Sequence, residues 1–284
     1  MTSKEIDQQI GNLRSVQEIT NVYQQIAAMR MRKIKDTVIQ NRSFYETLSQ
    51  VYMETQRVYL KTISPGNGHN YISKYVQKSN GKSIAVLLTA NTGLYGSVVK
   101  DTFNLFIKEQ ANSKTELAVV GRLGRNWMQA ANLGKPFKYF DLPDGTDSIE
   151  AGIQQIYDYI SDYADISVYH GIFNSIVDQP AKATKITQKL EAKNDAAEIL
   201  NFIFEPSIDK VLESFEEQLV YSFFDQSIYE ASLAKFGSRM LSLDSATQNI
   251  SKALTKMQFA HTKMKHRKQG RRQTELVSSM SLWK

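Results

Sequence analysis

The sequence predicts an α/β protein whose long N- and C-terminal helices form an antiparallel coiled coil, with an α/β domain between them. Three observations lead there. All five prolines fall between Pro65 and Pro206, so both ends lack the residue that a helix interior excludes. Apolar residues recur every three or four positions at both ends. Between Lys82 and Gln179 that period gives way to short continuous apolar runs. The expected divisions are 1–64 for the N-terminal helix, 65–206 for the central domain and 207–284 for the C-terminal helix.

In the first division, Ile6, Ile10, Leu13, Val16, Ile19, Tyr23 and Ile26 form one expected stripe, continued by Ile34, Val38, Tyr45, Leu48, Tyr52 and Tyr59. Gly11 is the one glycine before residue 66, and Ser64-Pro65-Gly66-Asn67-Gly68 marks where the helix must end. In the last division, Glu205-Pro206-Ser207 begins a helix. Its stripe of Leu233, Phe236, Met240, Leu243, Thr247, Ile250, Leu254, Met257, His261 and Met264 alternates steps of three and four, the signature of a coiled-coil seam. Gly237 is a mild interruption, since glycine inside a helix costs about 1 kcal/mol relative to alanine. Each stripe needs a cover, and the two terminal helices are expected to cover one another.

In the middle, Ser83–Thr89 and Leu117–Gly121 read as buried parallel strands, each followed by a helical segment, about 98–111 and 124–132. A third pair follows, helix 149–161 and strand Ile166–Tyr169. The order βαβαβ implies a small, open, Rossmann-like sheet. Ligands of such sheets sit at the carboxyl ends of the strands, where Gly93-Leu94-Tyr95-Gly96 falls. That turn has the spacing of neither a dinucleotide fingerprint nor a phosphate loop, so no cofactor is expected. Gly121-Arg122-Leu123-Gly124-Arg125 reads as a loop, either a solvated turn or an anion contact at a helix N-terminus.

Composition narrows the function classes. The absence of cysteine excludes disulfides, thiolate nucleophiles and Cys-ligated zinc, and leaves four histidines as imidazole ligands. No run of eighteen apolar residues exists and the first residues lack a secretory core, so a cytosolic protein is expected. Charge is uneven, about +3, −1 and +4 across the three divisions. From Ser245 to Lys284 nine lysines and arginines face the single acid Glu275, a basic helix that should seek an acidic partner. No Ser/His/Asp constellation, paired carboxylate motif or metal spacing is visible, so no catalytic residue is assigned.

Five blocks, in order, resemble the γ subunit of F-type ATP synthases. They are Ile10 through Lys33 with Ile26-Ala27-Ala28-Met29-Arg30-Met31-Arg32-Lys33, then Thr89 through Gly96, resembling TSDRGLCGG. Gly121 through Arg125 resembles a GxKG loop, Phe204-Glu205-Pro206 a YEP block, and Arg239-Met240 with Ala246-Thr247-Gln248-Asn249 an RMxAMxxATDN block. The resemblance implies a non-catalytic central-stalk rotor. Its coiled coil would turn inside a hexamer of α and β subunits, and its foot, with the turn Gly93, Leu94 and Gly96, would meet an ε-type subunit and a proteolipid c-ring. It would couple nucleotide chemistry to movement of ions, expected to be protons, at the cytoplasmic face of the cell membrane. In the family the arginine and glutamine of the tail motif meet acidic loops of β. The matching positions are Arg267, Gln269, Arg272 and Gln273, with Arg30, Arg32 and Lys33 giving the other helix a basic face. The seam residues Met240, Leu243, Ile250, Leu254 and Met257 would supply stiffness.

The departures also carry information. Asn21-Val22-Tyr23 replaces Lys-Ala-Met, Lys235 stands where the family has an acid, the tail motif is matched only loosely by His266 through Leu276 with about three extra residues, and the sequence ends Met280-Ser281-Leu282-Trp283-Lys284 where the family has a small-residue finish. These keep open a γ-like shaft in a specialised rotary ATPase without an ion ring. The basic tail also fits a nucleic-acid-binding coiled coil, although it lacks interleaved stacking aromatics.

Overall fold

The computed structural model describes residues 3–63, 73, 75, 79–132, 134–144, 149–187 and 204–281. The breaker Ser64–Gly68 and the end Leu282–Lys284 lie outside them. The elements are α1 (Ser3–Ile63), β1 (Ser83–Leu88), α2 (Val98–Gln110), β2 (Glu116–Val120), α3 (Arg122–Ala131), β3 (Phe137–Phe140), α4 (Glu150–Ile160), β4 (Asp165–Gly171), β5 (Ala181–Lys185) and α5 (Ile208–Ser281). The chain divides into two compact units, Met1–Ala28 with Arg239–Lys284, and Met29–Ser238.

Met29–Ser238 contains the sheet, ordered β3-β2-β1-β4-β5, with β5 the one antiparallel strand. The continuous apolar runs of β1 and β2 are buried because helices cover both faces. The sequence expectation omitted β3 and β5. Phe-Lys-Tyr-Phe buries one of its four residues and Ala-Lys-Ala-Thr-Lys buries none, so neither edge strand has the apolar density of a central one. A second correction concerns Gly121–Arg125, which is not a loop. Arg122–Arg125 form the first turn of α3, preceded by Gly121 at φ 99°, where a Cβ would lie 2.7 Å from Thr89 Oγ1. Glycine is needed there for both its dihedral and its size.

The start of α5 is held by Ser207, whose backbone carbonyl accepts from the Val211 amide and whose hydroxyl accepts from the Lys210 amide at 3.4 Å. Farther along, Gly237 makes room for a neighbour: a Cβ would lie 2.9 Å from the Phe173 ring. The core of this unit runs from Val86 and Val168 of the sheet to Tyr52 of α1 and Phe224 of α5.

Met1–Ala28 with Arg239–Lys284 contains the ends of α1 and α5 packed on each other. Asp7 meets His261, Gln17 meets Ser251, Asn21 meets Thr247 and Gln24 meets Asp244. Each advance along α1 is matched by an equal retreat along α5, so the pair is antiparallel and in constant register.

Candidate functional site

On α5 in the helix pair, Leu243 and Leu254 are buried, and Met240, Ile250 and Met257 are half-buried. These five stand at the alternating three- and four-residue steps that turn one face of a helix toward a partner. On α1 the seam differs from the expected stripe. It runs through Ile6, Ile10 and Leu13 and then through Gln17, Thr20, Gln24 and Ala27, while Val16, Ile19 and Tyr23 are exposed.

The reason is geometric. A seam that steps from 6 to 10 to 13 by alternating four and three lands next on 17, 20, 24 and 27. The apolar residues beside those positions form a second stripe that points elsewhere. Polar seam residues are tolerated because α5 supplies partners at the same level: the Gln17 amide donates to the Ser251 hydroxyl at 2.9 Å, and the Gln24 amide to the Asp244 carboxylate at 3.4 Å. Thr20 turns its hydroxyl back to the Val16 carbonyl, 2.8 Å away.

Past His261, α5 keeps Met264 half-buried, and every described residue from 265 to 280 is exposed. Arg267, Gln269, Arg272 and Gln273 lie on this stretch, and its one acid among the described residues is Glu275. Arg30, Arg32 and Lys33 are exposed on α1 in the unit Met29–Ser238. Arg30 is partly committed inside that unit, with its guanidinium 5.7 Å from the centre of the Phe236 ring.

The carboxyl edge of the sheet is held by side chains that sequence reasoning did not assign. Gly93 and Gly96 are exposed, and Leu94, 63% exposed, sits at φ 67°, a left-handed conformation uncommon outside glycine. Asp144 pins the residues before this turn, accepting from the Asn91 amide and from both the amide and the hydroxyl of Thr92 at 2.9–3.1 Å. Lys235 Nζ lies 3.4 Å from Asp144 and donates to the Thr89 carbonyl at 3.1 Å. A turn anchored by an ion pair of this kind can present Leu94 in one fixed orientation.

The places where such sheets take ligands are filled. The strand order reverses at β1 and β4, the topological switch point. There a Cβ on Gly171 would lie 2.5 Å from the Val98 side chain and 3.2 Å from Ala234, so α2 and α5 close the crevice. The first amides of α3 are also taken. Arg122 donates to the Asn91 side chain, Leu123 to the Ala90 carbonyl and Gly124 to the Thr89 hydroxyl.

A buried carboxylate, Glu216, and a half-buried one, Asp225, serve the packing of α1 on α5 in this unit. Glu216, fully buried, accepts from the Tyr52 hydroxyl, the Ser73 hydroxyl and the Tyr75 amide at 2.8–2.9 Å. Asp225 accepts from the Asn41 amide at 2.9 Å, and burial pushes its carboxyl up to about 6. Among the described residues no group of His, Asp and Glu could hold a metal ion, and no helix is long and apolar enough to cross a membrane.

A family model described as ATP synthase matches residues 2–277. The ATP synthase gamma chain of Halothermothrix orenii is 24% identical over 295 residues, covering 97% of both chains. That of Symbiobacterium thermophilum is 24% identical over 284 residues, covering 96% of each. Among solved structures, the central stalk and c-ring of the Tetrahymena thermophila mitochondrial ATP synthase contains a chain with TM-score 0.55 at 16% identity, covering 80% of this chain and 99% of that one. The Euglena gracilis mitochondrial ATP synthase rotor contains one with TM-score 0.52 at 13% identity, covering 92% and 99%. At these identities the structures establish a shared fold.

Proposed function

This chain belongs to the ATP synthase family, and from that premise we propose that it works as the γ-type central-stalk rotor of an ATP synthase or ATPase. The antiparallel pairing of Met1–Ala28 with Arg239–Lys284 is the observation that carries the reading. Two helices in constant register resist sliding, which a torque-bearing element requires, and their outer faces remain available for contact.

The role is non-catalytic. The helix pair turns within a ring of three α and three β subunits that perform the nucleotide chemistry, and the α/β domain meets an ε-type subunit and a proteolipid c-ring. The complex sits at the cytoplasmic face of the cell membrane, and this chain reaches the membrane through its partners. Arg267, Gln269, Arg272 and Gln273, with Arg32 and Lys33, are the contacts to the hexamer. Exposed ion pairs contribute about 0.2–1 kcal/mol each, weak enough that no angular position becomes a trap. Gly93, Leu94 and Gly96, which follow the Asn91 and Thr92 that Asp144 holds, form a contact of the α/β domain.

Native mass spectrometry of the complex isolated on this chain from its own cells tests the reading. Three α and three β subunits per chain together with a c-ring are expected. The same hexamer without a ring would identify a rotary ATPase uncoupled from ions, and no hexamer would overturn the rotor assignment.

A further inference from the structure

Leu94 combines strain with exposure. It stands at φ 67°, in the left-handed region that residues with a side chain rarely adopt, and most of its surface meets solvent. The fold gains little burial from this leucine, and glycine would take the same dihedral without strain. Such a conformation persists where the surroundings over-determine it, and outliers of this kind gather where a chain makes a functional contact.

Both flanks of Leu94 are tied to α5. Ahead of it, the Asp144 carboxylate accepts from the amides of Asn91 and Thr92 and from the Thr92 hydroxyl, with the Asp144 side chain 7% exposed. Lys235 of α5 closes this flank, with its ammonium 3.4 Å from Asp144 and donating to the Thr89 carbonyl at 3.1 Å. Behind it, the buried Tyr95 ring stands edge-on to Phe236 of α5 with ring centres 6.0 Å apart, and Lys235 Nζ lies 5.8 Å from the centre of the same Tyr95 ring. Two adjacent residues of α5 therefore hold the residues before and after Leu94. Lys235 also stands where the resembling family has an acid. An acid there would meet Asp144 with like charge, so this clamp is particular to the present chain.

We propose that Asp144 is a positioning residue: bound to α5 through Lys235, it fixes the backbone ahead of Leu94, so that this leucine is held out as a rigid apolar contact and movement of α5 reaches it without slack. One carboxylate that receives two amides, a hydroxyl and an ammonium has little freedom to turn, and charge-assisted hydrogen bonds in a site with little water are stronger than those at the surface. The mechanical half of the proposal rests on the rotor reading. The positioning half stands on the geometry of the unit Met29–Ser238 alone.

The sequence has no cysteine, so Leu94→Cys with Gln155→Cys on the exposed face of α4 creates one pair of spin-labelling positions in the full chain. A single narrow distance distribution between the labels is expected. Asp144→Ala and Lys235→Glu should each widen it at least twofold, and Lys235→Arg should leave it narrow. The double variant Asp144→Ala/Lys235→Met, which leaves no lone charge in the site, should widen it as Asp144→Ala does. A broad distribution in the parent, or an unchanged width in Asp144→Ala and the double variant, would overturn the proposal. In the complex isolated from its own cells, Leu94→Gly relieves the strain and removes the contact side chain. That variant and Asp144→Ala should each slow ATP-driven rotation under viscous load at least threefold, with the unfolding midpoint of Leu94→Gly no lower than that of the parent. Full rotation in both would overturn the mechanical half. A preparation without a hexamer would sink the rotor reading instead, and the label widths would still decide the role of Asp144.

Discussion

The helices α1 and α5 each contribute to both units, and they are used differently in the two. In Met29–Ser238, α5 meets a covered sheet, and buried side chains follow one another around most of its circumference from Leu219 to Phe236. In the helix pair, the buried positions of α5 among described residues 239–280 are Arg239, Leu243 and Leu254. A helix packed on a sheet spends its surface on the fold, whereas a helix with a single partner keeps most of its surface for other contacts. The polar seam sharpens the contrast. Tyr52 and Phe224 fill the first region, where the second places Gln17, Thr20 and Gln24.

If burial sets the local contribution to stability, the largest loss should come from Met29–Ser238. Phe224 is fully buried in the main core, and Phe224→Ala removes its contacts and leaves a cavity. The expected loss is about 3–5 kcal/mol, read from denaturant unfolding of the full chain. A loss under about 1 kcal/mol would mean that the core closes around the gap, and the contrast in packing would then have little energetic meaning.

Leu254→Asp addresses the other side of the comparison. Leu254 is one of the few buried residues of the α5 end, 8% exposed. Replacing it removes roughly 1.5–3 kcal/mol of apolar burial and places a carboxylate in the seam. Amide hydrogen exchange should accelerate along residues 3–28 and 239–265 while the protection of β1, β2 and β4 is retained, and ATP-driven rotation of the assembled complex should fall. Normal exchange together with full rotation would show that the register is held by the polar contacts of Gln17 and Gln24 instead of the apolar seam.

The same contrast explains what could be read from the sequence. The stripe of α5 from Leu233 to Met264 was legible because each step is three or four residues and no competing apolar row runs beside it. On α1 two rows run side by side between residues 13 and 27. Apolar periodicity chose Val16, Ile19 and Tyr23, whereas continuing the alternating steps of Ile6, Ile10 and Leu13 lands on Gln17 and Gln24, which Ser251 and Asp244 meet from the other helix. The central strands announced themselves by continuous burial, while β3 and β5, at the edges, bury too little to be distinguished from loops. Asp144 and Lys235 lie 91 positions apart and meet through the fold, so no local pattern marks them as a pair. Lys235 did stand out as a basic residue where the resembling family has an acid, a sign that its surroundings differ there.

The smallest expected effect concerns charge within the packed region. Asp225 is partly buried, and its carboxyl titrates near 6 in the folded chain against 3.8 for an unperturbed group. The folded state therefore holds a proton between about pH 4 and 6 that the unfolded chain has released. Stability from this residue is greatest below about pH 4, falls as pH rises to about 6 and stays reduced above that. A shift of this size corresponds to about 3 kcal/mol, and solvent screening of a partly exposed carboxylate lowers the usable figure to about 1–2 kcal/mol. Asp225→Asn keeps an oxygen to accept from Asn41 and removes the charge. At pH 7 the variant should be more stable by that amount, and at pH 4 it should match the parent, as measured by paired denaturant titrations. Equal stability at both values would mean that water reaches the carboxylate freely. The α1 and α5 contact at Asn41 would then be as open to solvent as the polar seam of the helix pair, and in this respect the two regions would not differ.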